Sequence, residues 1–330
     1  MPRLNLALIG AGRIGRVHAA NIAARADCRL ALVSDVVEDA ARSLAAETGA
    51  RTAAAEAVFA DPAINAVLIC ASTDTHAALI EAGARAGKPV FCEKPVDLDA
   101  ARIRACLDVV RNAGTPLMIG FNRRFDPSFR DLKRRVEAGR VGSIELVTII
   151  SKDPAPPPMA YIARSGGLFR DMMIHDFDMA RYLLDEEITE VHALGSALVD
   201  PAIGEAGDVD TAAVLLRTAS GKIAAITNSR RARYGYDQRI EVHGSTGMLM
   251  AGNRRATTVT EAGESGYVTD PALPFFLERY AEAYRAELDA FLAVIRSGTA
   301  PTPSGEDGLA AQLLAEAATQ SARSGSPVRL

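Results

Sequence analysis

Three side chains in one short stretch could move a proton. Asp171 and His175 are four residues apart, and His175 and Asp178 are three apart. On a helix that spacing places all three on one face. A carboxylate beside an imidazole fixes its tautomer and stabilises the imidazolium formed when it takes a proton. Met172, Met173, Ile174 and Phe177 would anchor such a helix by packing. Lys94 is a second candidate, in Glu93-Lys94-Pro95 directly after the apolar run Val90–Cys92. Proline biases the residue before it toward extended backbone, and an ammonium there would favour a developing alkoxide. Base and cation together suit the oxidation of a secondary alcohol, which loses a proton and a hydride. The spacing alone is equally met by Asp171 as a helix cap, His175 as a surface histidine and Lys94 as an ordinary exposed lysine.

A hydride needs a carrier, and the first residues supply a place for one. The apolar run Leu4–Ile9 leads into Gly10-Ala11-Gly12-Arg13-Ile14-Gly15 and then a helical pattern from Arg13 to Arg25. Gly10 permits the tight turn, Gly12 lets backbone approach a pyrophosphate, and Gly15 lets helix and strand pack closely. The helix N-terminus adds N–H donors and a favourable dipole. A second run, Arg29 to Ser34, ends in Asp35, twenty positions after Gly15. A carboxylate at that spacing accepts hydrogen bonds from the adenosine ribose and repels a 2′-phosphate. Val36 and Val37 offer no cation, so the expected cofactor is NAD; Arg42, further on, leaves dual use open.

Composition narrows the class. The chain has 330 residues, 48% hydrophobic and 24% charged, with net charge -4. That length supports two domains with real cores. An acidic balance gives no electrostatic case for nucleic acid or an anionic membrane. No apolar stretch is long enough to span a bilayer, and the N-terminus runs straight into the first strand, leaving no room for a signal peptide. Four scattered cysteines, Cys28, Cys70, Cys92 and Cys106, suggest neither a disulfide framework nor a zinc site. The five histidines are dispersed too, so no metal is expected, and a reducing cytoplasm is the simplest home.

The elements that must position these groups divide near residue 120. Strand-like runs Leu4–Ile9, Leu30–Ser34, Ala66–Cys70, Val90–Cys92 and Leu117–Gly120 alternate with helical patterns Arg13–Arg25, Val37–Thr48, His76–Ala86 and Leu98–Ala113. Such alternation predicts a parallel sheet covered on both faces, a Rossmann dinucleotide-binding domain over 1–120. Asp97 and Asp74 are the expected caps of the last two helices. Beyond Phe125–Ala138, expected helical, strand-like runs follow: Ile144–Ser151, Thr189–Leu198, Thr211–Thr218, Lys222–Ser229, Gln238–His243, Gly247–Ala251 and Ala256–Thr260. Helices Phe275–Arg296 and Glu306–Arg323 close the chain. Residues 121–330 therefore read as an α+β domain with a large, mostly antiparallel open sheet, for substrate binding and oligomerisation. The substrate is expected between the two domains. The open sheet leaves one face to cover, and a second copy of the chain is the expected cover.

The order Gly10-x-Gly12-x-x-Gly15, Glu93-Lys94-Pro95 and Gly167-x-x-x-Asp171-x-x-x-His175-Asp176 resembles that of the Gfo/Idh/MocA oxidoreductase family over essentially the whole chain. Gly120–Asp126, Asp153–Pro158, Ser165–Asp178, Gly207–Thr211 and Asn228–Arg239 resemble its inositol-oxidising members more specifically. The resemblance implies NAD-dependent oxidation of myo-inositol to the 2-keto inositol. It places the family's catalytic lysine, aspartate and histidine at Lys94, Asp171 and His175, without substitution. It implies Arg123, Asp153, Asp178, Tyr234 and Tyr236 as substrate-pocket residues. Cofactor contacts are expected from Gly10, Gly12, Arg13, Ile14, Gly15, Asp35, Ser72, Thr73, His76, Glu93, Lys94 and Asn122, and a homotetramer from the family. Two alternatives stand beside this: a dehydrogenase for another cyclic polyol or sugar, such as scyllo-inositol or an aldose, and a non-catalytic NAD-binding sensor. The sensor predicts loss of the lysine or histidine, and both are present.

Overall fold

The computed structural model describes residues 3–264 and 266–330. They form two compact units: residues up to Asn122 with 283–312, and residues 123–282 with 313–330. The first boundary falls close to residue 120. Residues 283–312, assigned from the sequence to the second domain, instead pack with the first. Linear order gives no hint of that return.

In the first unit β1 (Leu4–Ile9), α1 (Arg13–Ala23), β2 (Cys28–Ser34), α2 (Glu38–Thr48), β3 (Arg51–Thr52), α3 (Ala55–Ala60), β4 (Ala66–Ile69), α4 (Thr73–Arg85), β5 (Val90–Glu93), α5 (Ala100–Ala113) and β6 (Leu117–Gly120) follow one another. The strands form one parallel sheet in the order β3-β2-β1-β4-β5-β6. β4, β5 and β6 are buried along their whole length, as expected of parallel strands covered on both faces. The order reverses between β1 and β4, and ligands of such sheets bind outside the strand ends at that switch point. β3 and α3 were not foreseen, because two exposed polar residues and one helical turn carry no hydrophobic period. The helix caps also moved. α5 is capped by Asp99, whose side chain accepts from the Ala101 N–H, and not by Asp97. α4 starts at Ser72 as cap, with Asp74 in its first turn.

After a 3-10 turn, Asn122–Phe125, at the boundary, the second unit holds α6 (Pro127–Glu137), β7 (Ile144–Lys152), α7 (Met159–Ser165), α8 (Leu168–Asp171), α9 (Ile174–Leu184), β8 (Ile188–Ser196), α10 (Pro201–Glu205), β9 (Thr211–Thr218), β10 (Ile223–Ser229), β11 (Asp237–Gly244), β12 (Gly247–Ala251), β13 (Thr260–Gly263) and β14 (Gly266–Thr269). The chain ends with α11 (Phe276–Arg279), α12 (Ala281–Ser297), α13 (Gly305–Ser324) and β15 (Val328–Arg329). Seven strands pair as β12-β11-β7-β10-β9-β8-β15. All of those pairings are antiparallel except β7 with β10. The expected strand over Ala256–Thr260 is not formed. Its residues are exposed, and β13 and β14 make a separate hairpin instead. Alternation along β9 buries Ala212, Val214 and Leu216 on one face, and α9 packs against β7. The other face leaves Leu146, Leu194, Leu215 and Ile223 exposed.

Asp126 caps α6, accepting from the Ser128 and Phe129 N–H groups, and pairs with the buried Arg279. Removing one partner of such a buried pair strands the other charge, at a cost of about 3–5 kcal/mol.

Candidate active site

The glycine turn is built as its spacing predicts. Gly10 has φ 103, which L side chains rarely adopt, and a Cβ there would strike the Cys70 carbonyl. A Cβ on Gly15 would strike the Gly10 carbonyl. Gly12 is exposed, with open space where a Cβ would stand. As the N-cap of α1 it offers no side-chain bond, and the first turn holds no acidic residue. The end of α1 is thus shaped and charged for an anion such as a pyrophosphate. Arg13 and Ile14 start the helix beside it. Asp35 closes the cradle: one carboxylate oxygen accepts the Ala11 N–H at 2.6 Å, the other the Val37 N–H at 2.8 Å. A carboxylate accepts up to about four bonds, so Asp35 keeps lone pairs for ribose hydroxyls. Arg42 is engaged by Glu38 and Asp39, at 2.8 and 2.6 Å.

Ser72 and Thr73 lie just past β4 at the switch point, as a cofactor contact requires. His76 has partners within the protein. It is buried, with Nδ1 2.7 Å from the Pro95 carbonyl and Nε2 3.0 Å from the Ala71 carbonyl. Burial lowers its pKa, and a neutral ring donates through one nitrogen only, to either the Pro95 or the Ala71 carbonyl. Glu93 likewise has a partner within the protein. Its carboxylate is buried 2.6 Å from His18 Nε2, over Gly120, where a Cβ would stand 2.9 Å from it. Lys94 follows, half-buried, with a cis peptide to Pro95. Asn122 is buried just past β6.

In the second unit, the expected single helix through Asp171, His175 and Asp178 is broken. The Met173 N–H bonds the Leu168 carbonyl, five residues back, which inserts an extra residue between α8 and α9. Asp171 therefore ends α8, and His175 lies in the first turn of α9, which starts at Ile174. Asp171 is held from two sides: the Tyr161 hydroxyl donates to Oδ1 at 2.7 Å, and Arg230 Nη2 stands 3.5 Å from Oδ2. Arg230 also faces Asp208 at 3.9 Å. Asp208 in turn accepts the Leu168 N–H at 2.9 Å, and its other contact is with Gly167, where a Cβ would lie 2.7 Å from Oδ1. Asp153 joins this group. Its backbone bonds Ser229 and Ala232 at 2.9 and 2.7 Å, which fixes it beside the end of β10. Burial pushes its carboxyl up to about 6, with Arg230 pulling down and Asp171 pushing up.

Arg123 is buried, paired with Asp176 and donating to Ser151 Oγ at 2.9 Å. Tyr236 is buried against Phe275 and Tyr280, and burial raises its phenol pKa, so it is a neutral donor. Two of the substrate candidates have partners within the protein. Asp178 is fully buried, with both oxygens taken by Arg124 in a fork at 2.6 and 2.8 Å, so it is an anchor of α9. Tyr234 is half exposed, donates to Asp237 at 2.7 Å, and lines a shallow groove with Leu194 and Leu198 on the open sheet face. Tyr161, Arg230 and Asp208 were missed. Arg230 reads in sequence as one of two adjacent arginines on a solvated face, and only its 1% exposure shows otherwise.

The Asp153 group carries a testable pH signature. Its native pKa lies above the unfolded value, so its ionisation opposes folding increasingly as pH rises from about 4 to about 6 and fully above that. The Asp153→Asn variant is expected to melt a few degrees higher than the parent at pH 8 and equal to it near pH 4. If the carboxylate accepts a substrate hydroxyl, kcat/KM falls by about 10–100-fold in the same variant. Calorimetry and initial rates across pH check both.

A parallel sheet with a glycine-turn anion cradle at its switch point, and a second unit presenting histidine, paired acids and arginine, defines a nicotinamide-dinucleotide oxidoreductase. Residues 4–121 match the profile of the oxidoreductase family with NAD-binding Rossmann fold, and residues 129–250 that of the GFO/IDH/MocA C-terminal domain. The chain belongs to the Gfo/Idh/MocA family, whose NAD-dependent chemistry it shares. It is 54% identical over 314 residues to inositol 2-dehydrogenase of Rhizobium meliloti (strain 1021), covering 95% of each chain. It is 49% identical over 329 residues to myo-inositol 2-dehydrogenase of Thermotoga maritima, covering 99% of this chain and 98% of that one. The scyllo-inositol dehydrogenase of Lactobacillus casei, solved with bound NAD(H) and scyllo-inositol, superposes with TM-score 0.92 at 31% identity over 99% of both chains.

Proposed function

We propose that this chain oxidises myo-inositol at one ring hydroxyl to the 2-keto inositol. The observation that carries the reading is the polar group of the second unit: Asp153, Asp171, Tyr161, Arg230 and Arg123 gather directed donors and acceptors in partly buried surroundings, as a ring of hydroxyls requires. A site built to hydrogen-bond hydroxyls rejects analogues that lack them, because its own groups are then left unpaired. The relatives of highest identity reported above are inositol dehydrogenases, which supports the same substrate class.

The Gly10–Gly15 turn and Asp35 would hold NAD+, which when bound would supply the hydride acceptor. His175 takes the hydroxyl proton. Asp171, oriented by Tyr161 and Arg230, stabilises the imidazolium. Lys94 offers a cation to the oxygen on which negative charge develops. Following NADH formation with a panel of inositol isomers and hexoses tests this directly: activity on myo-inositol is expected, and activity on no polyol would favour a sensor. A second reading, scyllo-inositol as substrate, draws on the L. casei relative and is decided by the same panel.

Asp35→Ser is expected to raise the NADP/NAD ratio of kcat/KM by at least tenfold, because the charge that repels a 2′-phosphate is gone. An unchanged ratio would give that selectivity to another residue. The exposed face carrying Leu146, Leu194, Leu215 and Ile223 is proposed to be covered by a second copy, within a homotetramer. Light scattering that finds a monomer would remove this part. Four free, buried cysteines suit the cytoplasm as the working compartment.

A further inference from the structure

Behind the glycine turn, three titratable side chains from distant parts of the chain meet in the core of the first unit. His18 comes from α1, Glu93 from the end of β5 and Glu287 from α12; all three are buried, and Glu287 has no exposed surface. One ligand-type atom from each lies within 4.8 Å of the other two. The His18 ring is held edge-on by Phe91 and Tyr284, at 5.0 and 5.7 Å between centroids. His18 Nε2 and Glu93 Oε1 are 2.6 Å apart. Neither carboxylate oxygen of Glu287 has a hydrogen-bond partner among the described residues.

A buried acid aimed at a second acid requires positive charge, from protons or from a cation. The distances decide between them. Tetrahedral ligands about 2.1 Å from a zinc ion stand about 3.4 Å apart. His18 and Glu93 are closer than that, in direct hydrogen-bond contact, with no room for an ion between them. We propose that Glu287 is a positioning residue of the cofactor unit: it keeps a proton and stays neutral, which leaves Glu93 as the single buried anion that His18 links to α1.

The cluster then couples two parts of the dinucleotide site. Through His18 it holds α1, whose N-terminus forms the anion cradle. Through Glu93 it holds the strand end that continues into Lys94. The titratable groups facing Glu287 are Glu93 from β5, His18 from α1 and the Cys70 thiol just past β4. Burial first, and Glu93 second, raise the pKa of Glu287. Its ionisation at high pH places a second anion beside Glu93. An unfolded glutamate ionises near pH 4.3, so the parent loses stability as pH rises from there toward the native value.

Glutamine is the neutral isostere of a protonated glutamate, so E287Q tests the proposal. E287Q is expected to fold and to bind NAD+ with a Kd within about threefold of the parent at pH 7 by titration calorimetry. Its Tm should equal the parent's near pH 4 and exceed it by about 2–4 °C at pH 8. E287A, which leaves a cavity, should lie below E287Q by the same amount at every pH. E93Q, which removes the anion His18 needs, should weaken NAD+ binding by at least tenfold. An E287Q that is insoluble, or less stable than the parent at pH 8, overturns the proposal. So does about one equivalent of divalent metal in the purified parent that is lost in E287Q, which would make the cluster a metal site. Affinity, melting and metal content need no polyol, so these measurements stand if inositol proves not to be the substrate.

Discussion

Replacing Lys94 by alanine is expected to lower kcat at least a thousandfold while the Kd for NAD+ stays within about threefold. A preorganised donor aimed at developing negative charge is worth about 10²–10³ in kcat when removed, and a full cation more than a neutral donor. Lys94 follows β5 beside the cradle, but the cradle itself is built from the Gly10–Gly15 backbone and Asp35. The anion grip therefore survives the change. A loss confined to kcat marks an interaction made only as charge develops; a rise in KM with kcat preserved would make Lys94 a ground-state contact. Unchanged turnover removes it from the mechanism. Lys94→Arg should recover little, because a broad planar fork does not replace a compact ammonium.

His175→Ala is expected to cost about 10²–10⁴ in kcat at neutral pH, the usual contribution of a positioned general base. Added imidazole should restore part of the lost rate, since a diffusible base of the same kind can enter the space left by the ring. Hydroxide should restore rate too, so the variant becomes more active with rising pH over a range where the parent is flat. Asp171→Asn should show a smaller loss. The amide cannot stabilise an imidazolium as a carboxylate does, yet Tyr161 and Arg230 would still place it. A parent-like His175→Ala rate with inositol would transfer the base role elsewhere. Asp153, with a carboxyl pushed up to about 6, would be the next group to test.

Some of the site was legible because its signal is local. Gly10 and Gly15 had to be glycine: one occupies a left-handed backbone, and both lie against carbonyls that exclude a Cβ. Those constraints operate within one strand–turn–helix unit, so spacing reveals them. Asp35 was found by its distance from Gly15, which the same unit sets. The helix through Asp171 and His175 was misjudged, because one extra residue in the Leu168–Met173 turn shifts the register and leaves no trace in composition. Asp178 is a pocket residue only by the family resemblance; in the structure both its oxygens bind Arg124, 54 positions away in sequence. The resemblance implies cofactor contacts from His76 and Glu93. In the structure each binds a neighbour from another element, Pro95 and His18, and both are buried.

From sequence alone came the dinucleotide fold, the glycine cradle, the acid that closes it, and the chemical types at Lys94, Asp171 and His175. Each depends on backbone freedom and side-chain identity over a few consecutive residues. Tertiary structure alone decided which charges are buried and what stands opposite them. Tyr161 and Arg230 flank Asp171, Arg124 occupies Asp178, and Glu287 returns from the far end of the chain to face Glu93. Burial and pairing depend on which distant elements pack together. A carboxylate's role is set by that packing, because desolvation and a neighbouring charge, not the residue's name, decide whether it is anchor, acid or anion.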